Sequence, residues 1–474
     1  MACSGSSPSS GSSRLPAARR RTAGALAASV WLWAACATVD PGPDYDEAVR
    51  AIRVATGVPS AYRPGEDRAC ARRVGELLEG GLSLGEAVEV ALLNNPGLQG
   101  AFRSIGMARA DRVQAGILSN PSLMLALRFP DGGGDTAIAG NLFGSLLDLW
   151  QIPARIDSAD AALRQQILQV AHAAVALAGA VRSSYIDAVA ASRQVAIADE
   201  NRATAARLLE LAEQRVAARA ATAIDVNLAR IDLATAEVAL RDARLAVVEA
   251  RRALAAHLGL EDLPADCALD VALADQGRRL LSGESLRILA LANRLDVRAA
   301  QRAVAAAAAE LERQRGRVAR VIHAGAVAEK EEGEWSVGPA LRLQLPVFDQ
   351  NQAQIAKAAD ALARQQAILA GMRLDAIRDV GVAYARVEAS RATARIYAEQ
   401  ILARSREALA LAREAYRSGK STILPVLELQ RSLLTARREH LRRLQQVAIA
   451  ISDLERVTGA PREAWLHTEQ RKEP

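Results

Sequence analysis

Residues 337–353 read VGPALRLQLPVFDQNQA, and apolar and polar side chains alternate along most of this stretch. A period of two places successive side chains on opposite faces of a β-strand. One wholly apolar face and one polar face are typical of a strand that separates lipid from water. A soluble hairpin packed on helices has the same pattern and is the alternative. The expected apolar face holds Val337, Pro339, Leu341, Leu343, Leu345 and Val347, opposite Gly338, Ala340, Arg342 and Gln344.

A second alternating segment lies about 200 residues earlier, where Leu123, Leu125, Leu127 and Phe129 share one expected face. We therefore predict one β-hairpin at about 121–149 and another at about 320–349, each with a turn of glycines or acids that suits an exposed loop. Four strands cannot close on themselves, and an open edge cannot face lipid. Closure requires further copies of the chain: two copies give eight strands with a filled interior, and three give twelve with a lumen.

The hairpins belong to a tandem repeat with a period of about 200 residues. Ala159-Asp160-Ala161 recurs as Ala359-Asp360-Ala361, and Gly259 recurs as Gly459. One offset held along the chain indicates duplication of a large unit. Each half predicts two short helices, the β-hairpin, a very long helix and a long return helix. The predicted helices are 83–94, 97–119, about 154–218 and 222–258 in the first half, and 284–293, 296–318, 353–418 and 422–458 in the second.

The long helices predict a fold that is mainly α with a small membrane β part. About 64 residues at about 1.5 Å each reach roughly 95 Å, far more than a globular domain needs. A cytoplasmic coiled-coil rod is the alternative, but a rod needs neither an export signal nor lipid-facing strands.

The N-terminus predicts export. Arg19, Arg20 and Arg21 precede an apolar run, residues 23–35, that is too short to span a bilayer, and this is the pattern of a secretory signal. The run ends in Ala34-Ala35-Cys36, which resembles a bacterial lipobox, so we expect lipid attachment at Cys36; ordinary cleavage is the alternative. No uncharged apolar stretch of 18 residues follows, so no spanning helix is expected. The expected domains are a signal peptide (1–35), a lipid-anchored polar leader (36–81), repeat 1 (82–280, with its helical hairpin at 154–258 and a connector at 259–280), repeat 2 (281–460, with its helical hairpin at 353–458) and a polar C-terminal tail (461–474).

Composition excludes several classes of protein. Of 474 residues, only 3% are aromatic and four are cysteine, which is too few for a disulfide framework or a zinc site. The net charge of +6 comes from interleaved charges, so nucleic acid is not an expected partner. No nucleophile elbow, phosphate-binding glycine loop or ligand cluster occurs, so we expect no catalysis, cofactor or metal site.

In its order of elements the chain resembles the TolC-like outer-membrane efflux channels. The segments that carry this resemblance are ALLNNP at 91–96, the 337–353 stretch, and the two turns between long helices. LPVFDQNQA, residues 345–353, looks most like the metal-efflux branch. The resemblance implies a homotrimer whose twelve strands form one outer-membrane barrel and whose helices form a periplasmic α-barrel. It also implies docking on a periplasmic adaptor (membrane fusion) protein that connects to an inner-membrane pump.

The turns between the long helices resemble the family's adaptor-docking tips. Gly419 fits the family's turn glycine, whereas Arg219 stands there in the first tip, and Pro425 replaces one of the carboxylates in the second. The resemblance implies periplasmic pore or gate roles for Asp225 and Glu428; both are alternatively solvated acids favoured by the helix dipole. The residues that it implies for adaptor docking are Arg215, Thr222, Tyr416, Gly419, Ser421 and Thr422.

The leading hypothesis is a lipid-anchored outer-membrane exit channel that extends into the periplasm and passively conducts drugs or metal ions. The alternatives are the exit duct of a protein-secretion system and a non-pore periplasmic lipoprotein scaffold of helical hairpins.

Overall fold

The computed structural model describes residues 38–129, 131, 136–264, 267–269, 280–317, 322–331, 333–461 and 464. The chain divides into two units, Met1–Asp40 and Pro41–Pro474, and every helix and strand named below belongs to the second. The expected signal peptide, Cys36 and nearly all of the C-terminal tail lie outside the described residues.

Two helices occupy most of the segment predicted as a polar leader, which corrects that prediction. They are α1 (Gly42–Thr56) and α2 (Asp67–Leu78). Tyr45 and Ile52 of α1 are buried in the same hydrophobic core as the first long helix of the chain. This segment is therefore part of the folded body, because burying those side chains removes a continuous apolar helix face from water.

The two halves contain the predicted elements in the predicted order, with no cis peptide bond among the described residues. The first half holds α3 (Leu84–Asn94), α4 (Pro96–Ala115), β1 (Ser122–Arg128), β2 (Ala137–Ser145), α5 (Leu147–Ala217) and α6 (Ala223–Leu258). The second half holds α7 (Gly283–Asn293), α8 (Leu295–Arg315), β3 (Ile322–Glu331), β4 (Glu334–Leu343), α9 (Gln352–Ile396), α10 (Leu402–Arg417) and α11 (Leu424–Thr458).

Two helix predictions need correction. Helix α5 begins at Leu147 rather than 154 and carries Pro153 inside it. The predicted second long helix is interrupted by a π-helical turn at Tyr397–Ile401, which separates α9 from α10. A π turn takes up an extra residue, so the two long helices differ in shape although they correspond in sequence.

The four strands form one antiparallel sheet in the order β1-β2-β3-β4. Leu125 lies opposite Gly140, which lies opposite Ala328, and Ala328 in turn lies opposite Val337. Directly opposed residues share a face, so the predicted apolar faces of the two hairpins form one continuous surface.

Each half contains a junction where the loop between its two short helices packs against the end of a return helix. Gly259 and Gly459 end α6 and α11 in the left-handed conformation, at φ 72° and 64°. A Cβ on Gly259 would lie 2.6 Å from the carbonyl oxygen of Asn94, and one on Gly459 would lie 3.0 Å from the backbone of Arg294. Glycine is therefore required at both positions by conformation and by close approach.

The main hydrophobic core contains side chains of α1 and of the long helix α5. An ion pair connects the two halves of the chain. Arg182 of α5 pairs with Glu455 of α11 at 3.1 Å, with side chains only 11% and 12% exposed. Helix α5 is also long and apolar enough, by composition, to cross a membrane, but 56% of its most apolar window is buried. A core helix passes the same test, so this composition is weak evidence for a span.

Candidate functional site

The apolar face of the sheet is exposed in the single chain. Leu125 and Leu127 of β1 and Val337 and Leu341 of β4 are all exposed. Because β1 and β4 are the outer strands, their outward edges have no strand partner among the described residues. An apolar surface with two open strand edges is unstable in water and in lipid unless further strands pair with it.

Two large aromatic side chains lie just after the hairpins. Trp150, near the start of α5, is 80% exposed, and Phe348, just before α9, is 91% exposed. Aromatic residues are enriched where a membrane meets water. Sequence reasoning did not select them, although both follow an alternating segment at nearly the same place in each repeat.

Contacts link the long helices in the order α9/α10, α11, α5, α6, so α6 and α9/α10 lie at the two ends of the row. Both end helices carry exposed apolar stripes at spacings of seven or eight residues, or sums of these. Such a spacing suits packing against another helix. The stripe on α6 is Ile224, Ile231, Val238 and Leu245, and the stripe on α9/α10 is Leu374, Val382, Ile396 and Leu411.

The two helical tips have the same backbone geometry. In the first, the N–H of Ala220 donates to the carbonyl of Arg215, and in the second that of Lys420 donates to Ala415, both at 2.8 Å. Arg219 and Gly419 hold the left-handed position at φ 54° and 79°. This is the Schellman ending of a helix, and it confirms that Arg219 occupies the position of the turn glycine.

Arg215 and Tyr416 join the two tips to each other. The Arg215 guanidinium lies 4.4 Å from the centre of the Tyr416 ring and donates to the backbone carbonyl of Tyr416. Its other terminal nitrogen donates to the carbonyl of Ala220 at 2.9 Å. Tyr416 is 2% exposed, so in the single chain it packs inside the tip and offers no contact surface to a partner.

The two candidate pore acids have different surroundings. Asp225 accepts hydrogen bonds from the backbone N–H and the hydroxyl of Thr222, at 2.9 and 3.1 Å, so it stabilises the start of α6. Glu428 is exposed near the start of α11 and makes no hydrogen bond or ion pair to the described residues. The helix that carries Glu428 has Pro425 at its start and no side-chain cap.

The remaining docking candidates lie at the surface of the second tip. Ser421 donates through its hydroxyl to the carbonyl of Thr422 at 3.2 Å, and Thr422 is exposed. Gly419, Ser421 and Thr422 thus lie together on one turn, while Thr222 lies on the other.

The described residues contain no group of three or more histidine, cysteine, aspartate or glutamate side chains that could hold a metal. Cys70 and Cys267 are both buried.

The fold and these surfaces define a class of protein. A family model described as "Outer membrane efflux protein" matches residues 286–460, which cover most of the second half. This part of the chain resembles the TolC-like outer-membrane efflux proteins, and the mainly α fold with a small four-stranded sheet is shared with solved structures of outer-membrane channels.

Among known proteins, the cobalt-zinc-cadmium resistance protein CzcC of Cupriavidus metallidurans is 26% identical over 387 residues, covering 80% of this chain and 90% of CzcC. The pyoverdine export outer membrane protein OpmQ of Pseudomonas putida is 27% identical over 412 residues, covering 78% and 84%. The crystal structure of VceC from Vibrio cholerae superposes with a TM-score of 0.67 at 19% identity, covering 80% of this chain and 96% of VceC.

Proposed function

We propose that three copies of the chain form the outer-membrane exit channel of a tripartite efflux pump, which an inner-membrane pump supplies through a periplasmic adaptor. The observation that carries this proposal is the four-stranded sheet, which has one continuous apolar face and two open edges. Pairing β4 of one copy with β1 of the next satisfies both edges, and twelve strands leave a lumen.

The exposed helix stripes support the same assembly. The stripe on α6 of one copy can pack against the stripe on α9/α10 of the next, which would continue the row of long helices around a ring. The sheet edges and the helix stripes are therefore two separate surfaces through which copies of the chain can pack together.

The transported substrate is also a proposal, because the fold does not identify it. Of the two relatives, one is named for resistance to cobalt, zinc and cadmium and the other for pyoverdine export. Because those relatives differ in cargo and match this chain about equally, small substrates, including metal ions, are the class that we propose. We also propose that Cys36 anchors the chain through lipid: labelled palmitate should enter the wild type and not Cys36→Ser.

The assembly is tested by placing a charge on each face of the sheet. Leu341→Arg puts a cation on the exposed apolar face, where it would cost roughly 2–4 kcal/mol per chain near the bilayer midplane. We expect heat-resistant trimer and planar-bilayer conductance to fall sharply. The matched control is Ser336→Arg, on the opposite face of the same strand, which should leave both unchanged. Equal effects of the two changes, or no conductance from purified wild type, would favour the non-pore scaffold.

We further propose that Glu428, rather than Asp225, lines the periplasmic mouth, since Asp225 is engaged by Thr222. Three exposed carboxylates in a constriction attract cations. Glu428→Ala should shift the single-channel reversal potential in asymmetric salt towards anions, and Asp225→Asn should change it little. An unchanged potential in Glu428→Ala places that side chain outside the pore.

A further inference from the structure

A cleft of about 150 Å³ lies between α5 and α10 and extends to Arg417, the last residue of α10, beside the second tip. Its polar lining consists of Thr204, Arg207, Arg413, Tyr416 and Arg417. A smaller cleft of about 70 Å³ adjoins it between α5 and α11 and shares Thr204 and Arg413. Both are smaller than the pockets that hold drug-sized molecules, so they suit a single small group.

Most of the charge in the larger cleft is uncompensated. Three arginines and no carboxylate line it, and of these Arg417 pairs with Glu414 at 3.9 Å, outside the lining. The adjoining cleft is lined by one carboxylate, Glu200, which already pairs with Arg437 at 2.8 Å. Arg207 donates to the hydroxyl of Thr204 at 3.4 Å, and among the described residues neither Arg207 nor Arg413 has a carboxylate partner.

Arg413 is the centre of this charge. Although Arg413 is exposed, partial desolvation lowers the pKa of its guanidinium, and the neighbouring charges of Arg207 and Arg437 lower it further. The two guanidinium groups without a carboxylate partner, Arg207 of α5 and Arg413 of α10, therefore repel each other here. An anion among them would convert that repulsion into attraction.

Tyr416 provides a second, independent observation. Its side chain is 2% exposed, and its hydroxyl makes no hydrogen bond to the described residues. Buried hydroxyl groups nearly always have a partner, so one without a partner requires an explanation. Tyr416 lines the cleft, and the charged groups that act on its hydroxyl are Arg215 and Asp225, so a ligand oxygen in the cleft would supply the missing acceptor.

We propose that this cleft is an oxyanion site, in which Arg207, Arg413 and the Tyr416 hydroxyl donate hydrogen bonds to one carboxylate or phosphate group. The site does not depend on the channel function, since the residues that form it all belong to one chain. The oxyanion has two sources to distinguish: a free inorganic anion, or an acidic side chain of a protein bound at the tip.

The first measurement is calorimetric titration of inorganic phosphate into the purified full-length protein at low salt. Because hydrogen bonds to charged groups are among the stronger ones, Arg413→Gln should weaken binding at least about tenfold. The matched control is Arg404→Gln, an exposed arginine on the same helix outside the cleft, which should bind like wild type.

Tyr416→Phe separates a ligand contact from a structural role. It removes only the hydroxyl, which has no partner within the described fold, so thermal stability without phosphate should not fall. Phosphate binding should weaken severalfold. Lower stability with unchanged phosphate binding would contradict the role assigned to this hydroxyl.

A parallel titration with hexaglutamate peptide identifies the source. Tighter, Arg413-dependent binding of the peptide than of phosphate indicates a protein side chain, and Arg413-dependent binding of phosphate alone indicates a free anion. The proposal fails if neither probe binds in an Arg413-dependent way, or if Arg404→Gln causes the same loss. Conductance is measured separately, so either proposal can fail while the other stands.

Discussion

The two repeat junctions have the same backbone geometry but different side-chain chemistry. In the first half, the amide of Asn94 donates to the carbonyls of Leu258 and Gly259 at 3.1 and 2.9 Å, and that of Asn95 donates to His257 at 3.0 Å. These neutral hydrogen bonds hold the loop on the end of α6. They are largely indifferent to salt, and none of the donor and acceptor groups titrates in the ordinary pH range.

In the second half, Arg294 occupies the place of Asn95 and makes ion pairs instead. It contacts Asp296 at 2.7 Å and Asp379 at 3.1 Å, and its own side chain is mostly buried. Both junctions therefore share a left-handed glycine and a closely packed loop, whereas the polar groups that hold the loop differ between them. The second junction should therefore respond to charge and acid, and the first should not.

The largest expected effect comes from breaking the shared geometry. Gly259→Ala places a Cβ against the Asn94 carbonyl and strains a left-handed residue, which together should cost roughly 2–4 kcal/mol. Gly459→Ala meets longer contacts and should cost less. Urea titration of the purified protein measures both, and a larger loss in Gly459→Ala would reverse the ranking of the two junctions.

The next prediction compares the ion pairs of the second junction with the neutral hydrogen bonds of the first. Arg294→Ala leaves Asp296 and Asp379 partly buried without their shared cation, which should lower the free energy of unfolding by about 2 kcal/mol. Asn95→Ala should cost about 1 kcal/mol, since it removes neutral hydrogen bonds. As a control, Arg287→Ala, from an exposed pair with Glu284 on the same half, should change stability by less than about 0.5 kcal/mol.

Lowering the pH should remove the difference in the free energy of unfolding between wild type and Arg294→Ala. Burial opposes ionisation of Asp296, but the hydrogen bonds and charge of Arg294 outweigh it and lower the pKa of that carboxyl. Burial is likewise outweighed at Asp379 by Arg378 and Arg294, so its pKa is also lowered. A lowered pKa contributes stability above the unfolded value of about 4 and loses it as pH falls further.

Stability curves of the two proteins measured from pH 7 to pH 3 should therefore converge below about pH 4. The corresponding curves for wild type and Asn95→Ala should stay parallel. Convergence of the Asn95→Ala curves instead would show that the first junction also depends on a titrating group.

The smallest expected effect concerns the two tips. Their backbone geometry is the same, but the left-handed position holds Arg219 in one and Gly419 in the other. Arg219→Gly relieves a left-handed arginine and should raise stability by about 1 kcal/mol, whereas Gly419→Ala should lower it by a similar amount. Differential scanning calorimetry of the two variants is the measurement. A loss of stability in Arg219→Gly would mean that the Arg219 side chain stabilises its tip by more than the backbone strain costs.

The sequence predicted the sheet best, because alternation alone determines which side chains share a face. The duplication predicted the order of helices and the equivalence of Arg219 and Gly419. The helical leader was missed although Tyr45, Ala48, Ile52 and Ala55 recur at helical spacing, since the charges between them were read as a polar surface.

Other features of the structure could not be predicted from the sequence. No residue type in the sequence marks the π turn at Tyr397–Ile401. The Arg215–Tyr416 contact joins residues 201 apart in sequence. Because the repeat is about 200 residues long, equivalent tips could be expected to meet, but the pairing of these two side chains could not.

The π turn has a consequence for symmetry. One extra residue within a turn rotates everything beyond it by about 100° relative to an unbroken helix. The first long helix has 71 residues without such a turn, and the second has one about four turns before its tip. The ring that we propose contains six helical hairpins, three of each shape, and the two shapes alternate around it. The ring has threefold rather than sixfold symmetry, and a partner that encircles it meets two kinds of groove in alternation.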